Sequence, residues 1–108
     1  MIDYIKIGKQ EHPVRFGTNA LRNYSGEYNV PIVELGRIDK RTNLFNLIGL
    51  MFAGLKDGAR TEKKEFPYTI EDVSDWADDD PTLLERMLVI YKAQYVGNPR
   101  KPEEKAGI

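Results

Sequence analysis

Residues 42–58 read Thr-Asn-Leu-Phe-Asn-Leu-Ile-Gly-Leu-Met-Phe-Ala-Gly-Leu-Lys-Asp-Gly. Leu44, Leu47, Ile48, Met51, Phe52 and Leu55 recur at i, i+3, i+4, i+7, i+8 and i+11, the period of one helical face. Phe45 and Leu50 fall off that stripe and widen it, as expected of a helix covered on more than one side. A central core helix beginning near Thr42 follows. Gly58 is the residue type that closes helices in the left-handed conformation, and Lys56 suits the negative end of the dipole, so the helix is expected to stop around Lys56-Asp57-Gly58. Gly49 and Gly54 inside it each cost up to about 1 kcal/mol relative to alanine, which points to close approach by another element.

N-terminal to this helix, Tyr4-Ile5-Lys6-Ile7 and Val14-Arg15-Phe16 alternate apolar with polar, and Gly8-Lys9-Gln10-Glu11 separates them, which predicts a β-hairpin. Pro13 cannot donate to a ladder and belongs at the start or edge of the second strand. An isolated hairpin is marginal in water and must lean on helices. Thr18 can cap a short helix that carries Ala20, Leu21, Tyr24 and Tyr28, weakened in its second half by Gly26. The segment 29–36 is open to a loop, an extended piece or a short helix starting at Pro31, of which the helical turn is preferred.

C-terminal to the core helix, residues 59–67 are polar except at Phe66 and predict a solvated loop. In Thr69-Ile70-Glu71-Asp72 the threonine can cap the first amides while the acids occupy the positive first turn; Ile70, Val73 and Trp76 follow in a short helix that ends at Asp78-Asp79-Asp80. Asp80-Pro81 repeats the start signal, and Leu83, Leu84, Met87, Leu88, Tyr91 and Tyr95 form a second long stripe. The expected organisation is one globular domain over residues 1–96 and a flexible tail over 97–108, the latter because two prolines, two glycines and mixed charge leave little to bury. The fold class is α+β, mainly α, with the N-terminal hairpin packed on about four helices.

Composition narrows function by exclusion. At 108 residues and 41% hydrophobic, the chain can build one real core, and with no cysteine it can hold neither a disulfide nor a thiolate nucleophile or metal site. Sixteen basic and seventeen acidic residues lack the basic excess of a duplex nucleic-acid binder. The N-terminus does not resemble a signal peptide and no apolar run is long enough to span a bilayer, so a protein that binds neither nucleic acid nor membrane is expected, while the compartment stays open and, without cysteine, leans cytosolic.

Chemistry finds few footholds. Asp72, Asp75, Asp78, Asp79 and Asp80 suggest oxygen ligands, but they lack the glycine and terminal glutamate of a calcium loop and fit helix ends and a turn better. His12 has no nucleophile or orienting group in its spacing and reads as a surface strand residue. Lys56, Arg60, Lys63 and Lys64 are interrupted by Glu62 and Glu65, and Gly54–Gly58 lacks phosphate-loop spacing. Trp76 at an amphipathic position reads as core. No catalytic set, metal or cofactor is expected.

The order of certain pieces carries a resemblance. A hairpin ending Pro13-Val14-Arg15-Phe16-Gly17, then Asn19-Ala20-Leu21, a helix closing on Phe52-Ala53-Gly54-Leu55-Lys56-Asp57-Gly58-Ala59, and Tyr68-Thr69-Ile70-Glu71-Asp72-Val73-Ser74-Asp75-Trp76 together resemble the tail assembly chaperones of long-tailed bacteriophages and prophages, over about residues 4 to 95. The resemblance implies a small, mainly helical, non-enzymatic protein of the bacterial host cytoplasm. It would bind the tape measure protein and assist the tail tube protein to polymerise around it, with a frameshift-extended form recruiting the tube subunit in many relatives. Such a role needs an apolar face for a helical partner, and Phe45, Ile48 and Phe52 together with Leu88, Tyr91 and Tyr95 are the candidates, although each serves a core equally well. Homo-oligomers are also compatible. A regulatory adaptor unrelated to tails, using the same apolar faces, is the alternative.

Overall fold

A computed structural model describes residues 2–96; the tail expected over 97–108 lies outside them. The chain is an α+β fold, mainly α: an antiparallel hairpin of β1 (Asp3–Ile7) and β2 (Gln10–Val14), then α1 (Thr18–Tyr28), α2 (Ile32–Leu35), α3 (Leu44–Thr61), α4 (Ile70–Asp79) and α5 (Leu83–Tyr91). A five-residue π-helical turn, Lys92–Val96, continues α5. Among the described residues no helix is long and apolar enough to cross a membrane.

The hairpin turn is tighter than the expected Gly8–Glu11, because Ile7 pairs with Gln10 and leaves only Gly8-Lys9 between the strands. Gly8 sits at φ 64°, a conformation open to glycine, and a glycine in the first position of a two-residue loop matches the twist of the strands it joins. β2 therefore begins at Gln10 and places Pro13 near its end, opposite Tyr4. A two-stranded sheet has an outer edge on every strand, so the missing amide breaks no ladder that the fold needs. Ile5, Ile7, His12 and Val14 are buried on the face that meets the helices, and Phe16, expected in the second strand, follows it as a buried plug.

α3 is the central element and packs against β2, α1, α4 and α5. This is why a single stripe does not describe it: Leu50, off the stripe, is fully buried, while Leu44, on the stripe, is 63% exposed. Asn43 caps the helix, its Oδ1 accepting from the Asn46 amide at 2.8 Å. Nor does the helix stop at Lys56-Asp57-Gly58; it runs to Thr61 and closes with Lys63 at φ 58°. Gly58 is instead a contact point, since a Cβ there would lie 2.3 Å from the Pro13 carbonyl oxygen. Gly49 and Gly54 serve the approach anticipated for them, the first beneath the Tyr28 ring and the second beneath Phe16. The amide of Arg15 donates to the Gly54 carbonyl at 3.0 Å, so the chain leaving β2 is tied to the helix it crosses.

Beside this crossing Asp57 is buried, and its carboxylate accepts from Arg60 at 2.7 and 2.9 Å with Arg15 3.7 Å away. A buried charge is tolerated only when paired; both Arg60 bonds fall on Oδ1, while Oδ2 accepts no hydrogen bond and has only the charge of the Arg15 guanidinium nearby. α4 has the Thr69 cap expected from its sequence, and Asp72 completes it into a capping box: Thr69 accepts from the Asp72 amide and Asp72 accepts from the Thr69 amide. α5 begins two residues later than Asp80-Pro81 suggests: Asp80 accepts from the Thr82 amide and hydroxyl, Pro81 and Thr82 form a turn, and the helix starts at Leu83.

His12 is not a surface strand residue. It is 7% exposed, with its ring 5.4 Å from Trp76 and 5.8 Å from Tyr68 in an aromatic run that continues through Phe66 to Phe52 and joins the hairpin to α4. Burial lowers its pKa from the ordinary histidine value, and the positive charge of Lys64 adds to the effect. The unfolded chain therefore takes up a proton near pH 6.5 that the folded chain resists. Stability is fully present above that pH and falls as the pH drops through 6.5, levelling off below the folded value. A His12→Phe variant, which keeps a ring in the contact, is expected to lose this slope: its Tm should match the wild type's pH dependence above pH 7 but decline less between pH 6.5 and 5. Parallel slopes for the two proteins in differential scanning calorimetry would exclude the imidazole as the cause.

Candidate functional site: an apolar groove beside α3

The site begins with a loop that aims α3. Asp39 accepts from the Arg41 amide at 2.8 Å and pairs with its guanidinium at 2.8 Å, and these bonds hold its carboxyl down to about 2. The hydroxyl of Thr42 accepts from the Asp39 amide at 3.2 Å. The chain is thereby fixed just before the Asn43 cap, which projects Leu44 and Phe45 from the first turn of α3 rather than into the core.

Tyr28, the last residue of α1, meets them from the other side. Its ring stacks on Tyr24 at 5.2 Å and meets the Phe45 ring edge-on at 5.1 Å. The ring can lie this close to α3 because Gly49 has no side chain; a Cβ would fall 2.2 Å from it. Tyr24 is itself fixed, its hydroxyl accepting from Asn46 at 3.0 Å, and burial raises its pKa and that of Tyr28. Both are neutral phenols at any physiological pH.

Between this wall and α4 runs an open groove of about 700 Å³. Ile48 and Leu84 line it, as do Ile70 and Ala77 of α4, while Glu71, Ser74 and Asp78 form its polar border. Phe45 stands at its mouth, 73% exposed, and Leu44 beside it is 63% exposed. Two adjacent large apolar side chains left in solvent at a concave apolar surface mark an interaction site better than scattered exposed residues do.

The six residues singled out from sequence separate here. Phe45 and Ile48 share the groove, Phe45 at the rim and Ile48 at 6% exposure on its floor. Phe52 lies two turns along α3 from Phe45 in a neighbouring depression, half-buried against Phe66, with the Lys56 ammonium 5.8 Å above its ring. Leu88 is mostly buried and borders a different hollow, beside exposed Val89 and the basic residues Lys40, Arg41 and Lys92. Tyr91 belongs to the core: it is fully buried, meets Phe16 edge-on at 5.1 Å and donates its hydroxyl to the Leu35 carbonyl at 2.6 Å. Desolvation pushes that hydroxyl's pKa well above the ordinary tyrosine value. Tyr95 is half-buried and stacks on it at 5.6 Å.

Sequence reasoning missed the other half of the groove, namely Tyr28, Leu44, Ile70, Ala77 and Leu84. Tyr28, Leu44, Ile70 and Leu84 each carry a periodicity that assigns them to a buried helical face, Ala77 belongs to no stripe read from the sequence, and only Leu44, placed directly after a capping asparagine, has a local signal that it stands at a helix mouth. The acidic positions of α4 and its flanks do not converge: among the described residues no group of three or more histidine, aspartate or glutamate side chains is arranged to hold a metal ion. Compared with protein-family models, with curated proteins and with solved structures, the chain matches none.

Proposed function

We propose that this protein is a tail assembly chaperone of a long-tailed phage or prophage, a non-enzymatic protein that holds a helical stretch of the tape measure protein in the groove beside α3. The observation that carries it is the exposed pair Leu44 and Phe45 at the mouth of a preformed apolar channel. The sequence resemblance of the hairpin, the α3 end and the α4 start supports the same reading. A chaperone must shield apolar surface and then release it, and an open groove with an aromatic anchor at its edge suits a helix laid in without being enclosed. Assembly of the tail tube protein around the shielded tape measure protein, in the cytoplasm of the bacterial host and with help from a frameshift-extended form, completes the proposed role.

The test is co-expression with the long helical tape measure candidate of the same locus, followed by affinity capture and size exclusion. A soluble stoichiometric complex is expected. Phe45→Ser should weaken it at least tenfold while leaving the thermal transition within a few degrees of wild type, because the ring is mostly in solvent and loses little on unfolding. Equal capture by Phe45→Ser would remove the groove from the proposal. If the wild-type protein captures nothing and the candidate stays insoluble, the adaptor alternative replaces the chaperone.

A further inference from the structure

The groove is walled unequally. On α4, Ile70, Ser74 and Ala77 follow one another at i, i+4 and i+7 and face the channel, and one residue further on Glu71, Asp75 and Asp78 repeat the same spacing as a parallel acidic ridge, of which Glu71 and Asp78 line the groove and Asp75 stands between them outside its lining. All three acids are exposed, and no ion pair among the described residues involves any of them. No lysine or arginine among the described residues lines the groove.

The placement works against the helix that carries it. Like charges at i, i+4 repel, and Asp78 and Asp79 occupy the last turn, where the helix dipole is already negative and which itself holds no basic residue. Glu71, in the first turn, is the one member of the ridge that the helix itself favours. Folding therefore does not account for a ridge running the length of α4. A cationic partner lying along the channel would.

We infer that the occupant of the groove is an amphipathic helix with a row of lysines or arginines along one flank of its apolar stripe, spaced to meet Glu71, Asp75 and Asp78. The assignment rests on the groove being the partner site, and it specifies which helix the site accepts. The apolar stripe fills the channel against Phe45 and Ile48, and the basic flank sets the direction and register in which the helix lies. Rim charges of this kind act through attraction of the right partner and repulsion of the wrong one, and they weaken with salt.

Two labelled synthetic helices of roughly 18 residues, about five turns, test this. They share one leucine stripe and differ only in carrying lysine or glutamate along one flank. Fluorescence anisotropy with the full chain is expected to show the lysine peptide binding about tenfold more tightly at low salt, with the preference shrinking as salt shortens the range of charge interactions. The combined Glu71→Lys, Asp75→Lys and Asp78→Lys variant should invert the preference, and Phe45→Ser should weaken both peptides. Equal affinity for the two peptides, or a preference that survives the charge reversal, overturns the inference. Should the reversed protein fail to fold by circular dichroism, the neutral variant Glu71→Gln, Asp75→Asn and Asp78→Asn is read instead, and a preference it retains overturns the inference equally.

The two readings fail separately. Capture of the tape measure candidate that is blocked by Phe45→Ser but untouched by charge reversal would keep the chaperone and discard the basic-flanked helix. The expected peptide preference without any tape measure capture would do the opposite.

Discussion

Gly58→Ala is expected to destabilise the protein by about 3 kcal/mol, a loss of roughly 12 to 20 °C in Tm for a domain of this size. Inside an exposed helix the same change would be favourable by about 1 kcal/mol, since alanine orders the backbone at lower entropic cost. At Gly58 the added methyl would sit 2.3 Å from the Pro13 carbonyl oxygen and 2.5 Å from its carbon. Those are backbone atoms of a buried strand end, so no rotamer change relieves the clash. The hairpin must move off α3, which disturbs the Arg15–Gly54 hydrogen bond and the pairing around Asp57. Gly26 is the control: nothing lies within 4 Å of a Cβ there, and Gly26→Ala should raise stability by about 0.5 to 1 kcal/mol. Denaturant titration of the two variants should give opposite signs. A Gly58→Ala protein as stable as wild type would mean that β2 does not cross α3 at this distance.

Gln94→Ala is expected to cost about 3 kcal/mol, although the side chain is neither large nor part of an apolar stripe. Its amide is buried in the π-helical turn after α5 and joins the two ends of the hairpin. The carbonyl oxygen accepts from the Phe16 amide at 2.7 Å, and the nitrogen donates to Asp3 at 2.8 Å and to the Val14 carbonyl at 3.2 Å. Removing the side chain strands a buried donor and a buried acceptor, each worth about 1 to 3 kcal/mol of desolvation when left unpaired. Gln94→Glu should be at least as damaging at pH 7, because it keeps the acceptor for Phe16 but sets a carboxylate against Asp3 and a carbonyl oxygen. Urea titration measures the loss, and hydrogen exchange localises it: the Phe16 amide should lose protection in Gln94→Ala to a degree that distant α4 amides do not share. Unchanged protection at Phe16 would remove the clamp.

The candidate site was half legible in the sequence. Phe45 and Ile48 were found because they lie on the most strongly patterned helix, where apolar content exceeds what one face can bury. Tyr91 was grouped with them by the same periodicity, yet it lies in the core and uses its hydroxyl on the Leu35 carbonyl. Periodicity states which residues share a helical face and is silent on whether that face meets the core or solvent. Tyr28, Ile70 and Leu84 come from three different helices, and only their packing around α3 brings them to one groove.

Local chemistry settles much of this molecule before any packing is considered. The alternation of Tyr4–Ile7 about Gly8, the Thr69–Asp72 box and the i, i+3, i+4 stripes of α3 and α5 specify their elements from neighbours within one or two turns, because capping, turn geometry and side-chain period are short-range effects. Tertiary structure decided what depends on distance through space. It made Gly58 a contact point rather than a helix stop, because the strand crossing there is brought in from more than forty positions away. It buried His12 under Trp76 and Gln94 between two strand ends, since each is satisfied by partners remote in the chain. It also left Leu44 and Phe45 in water: the first turn of α3 projects beyond the part of the helix that other elements cover, and a sequence pattern carries no record of where its cover ends.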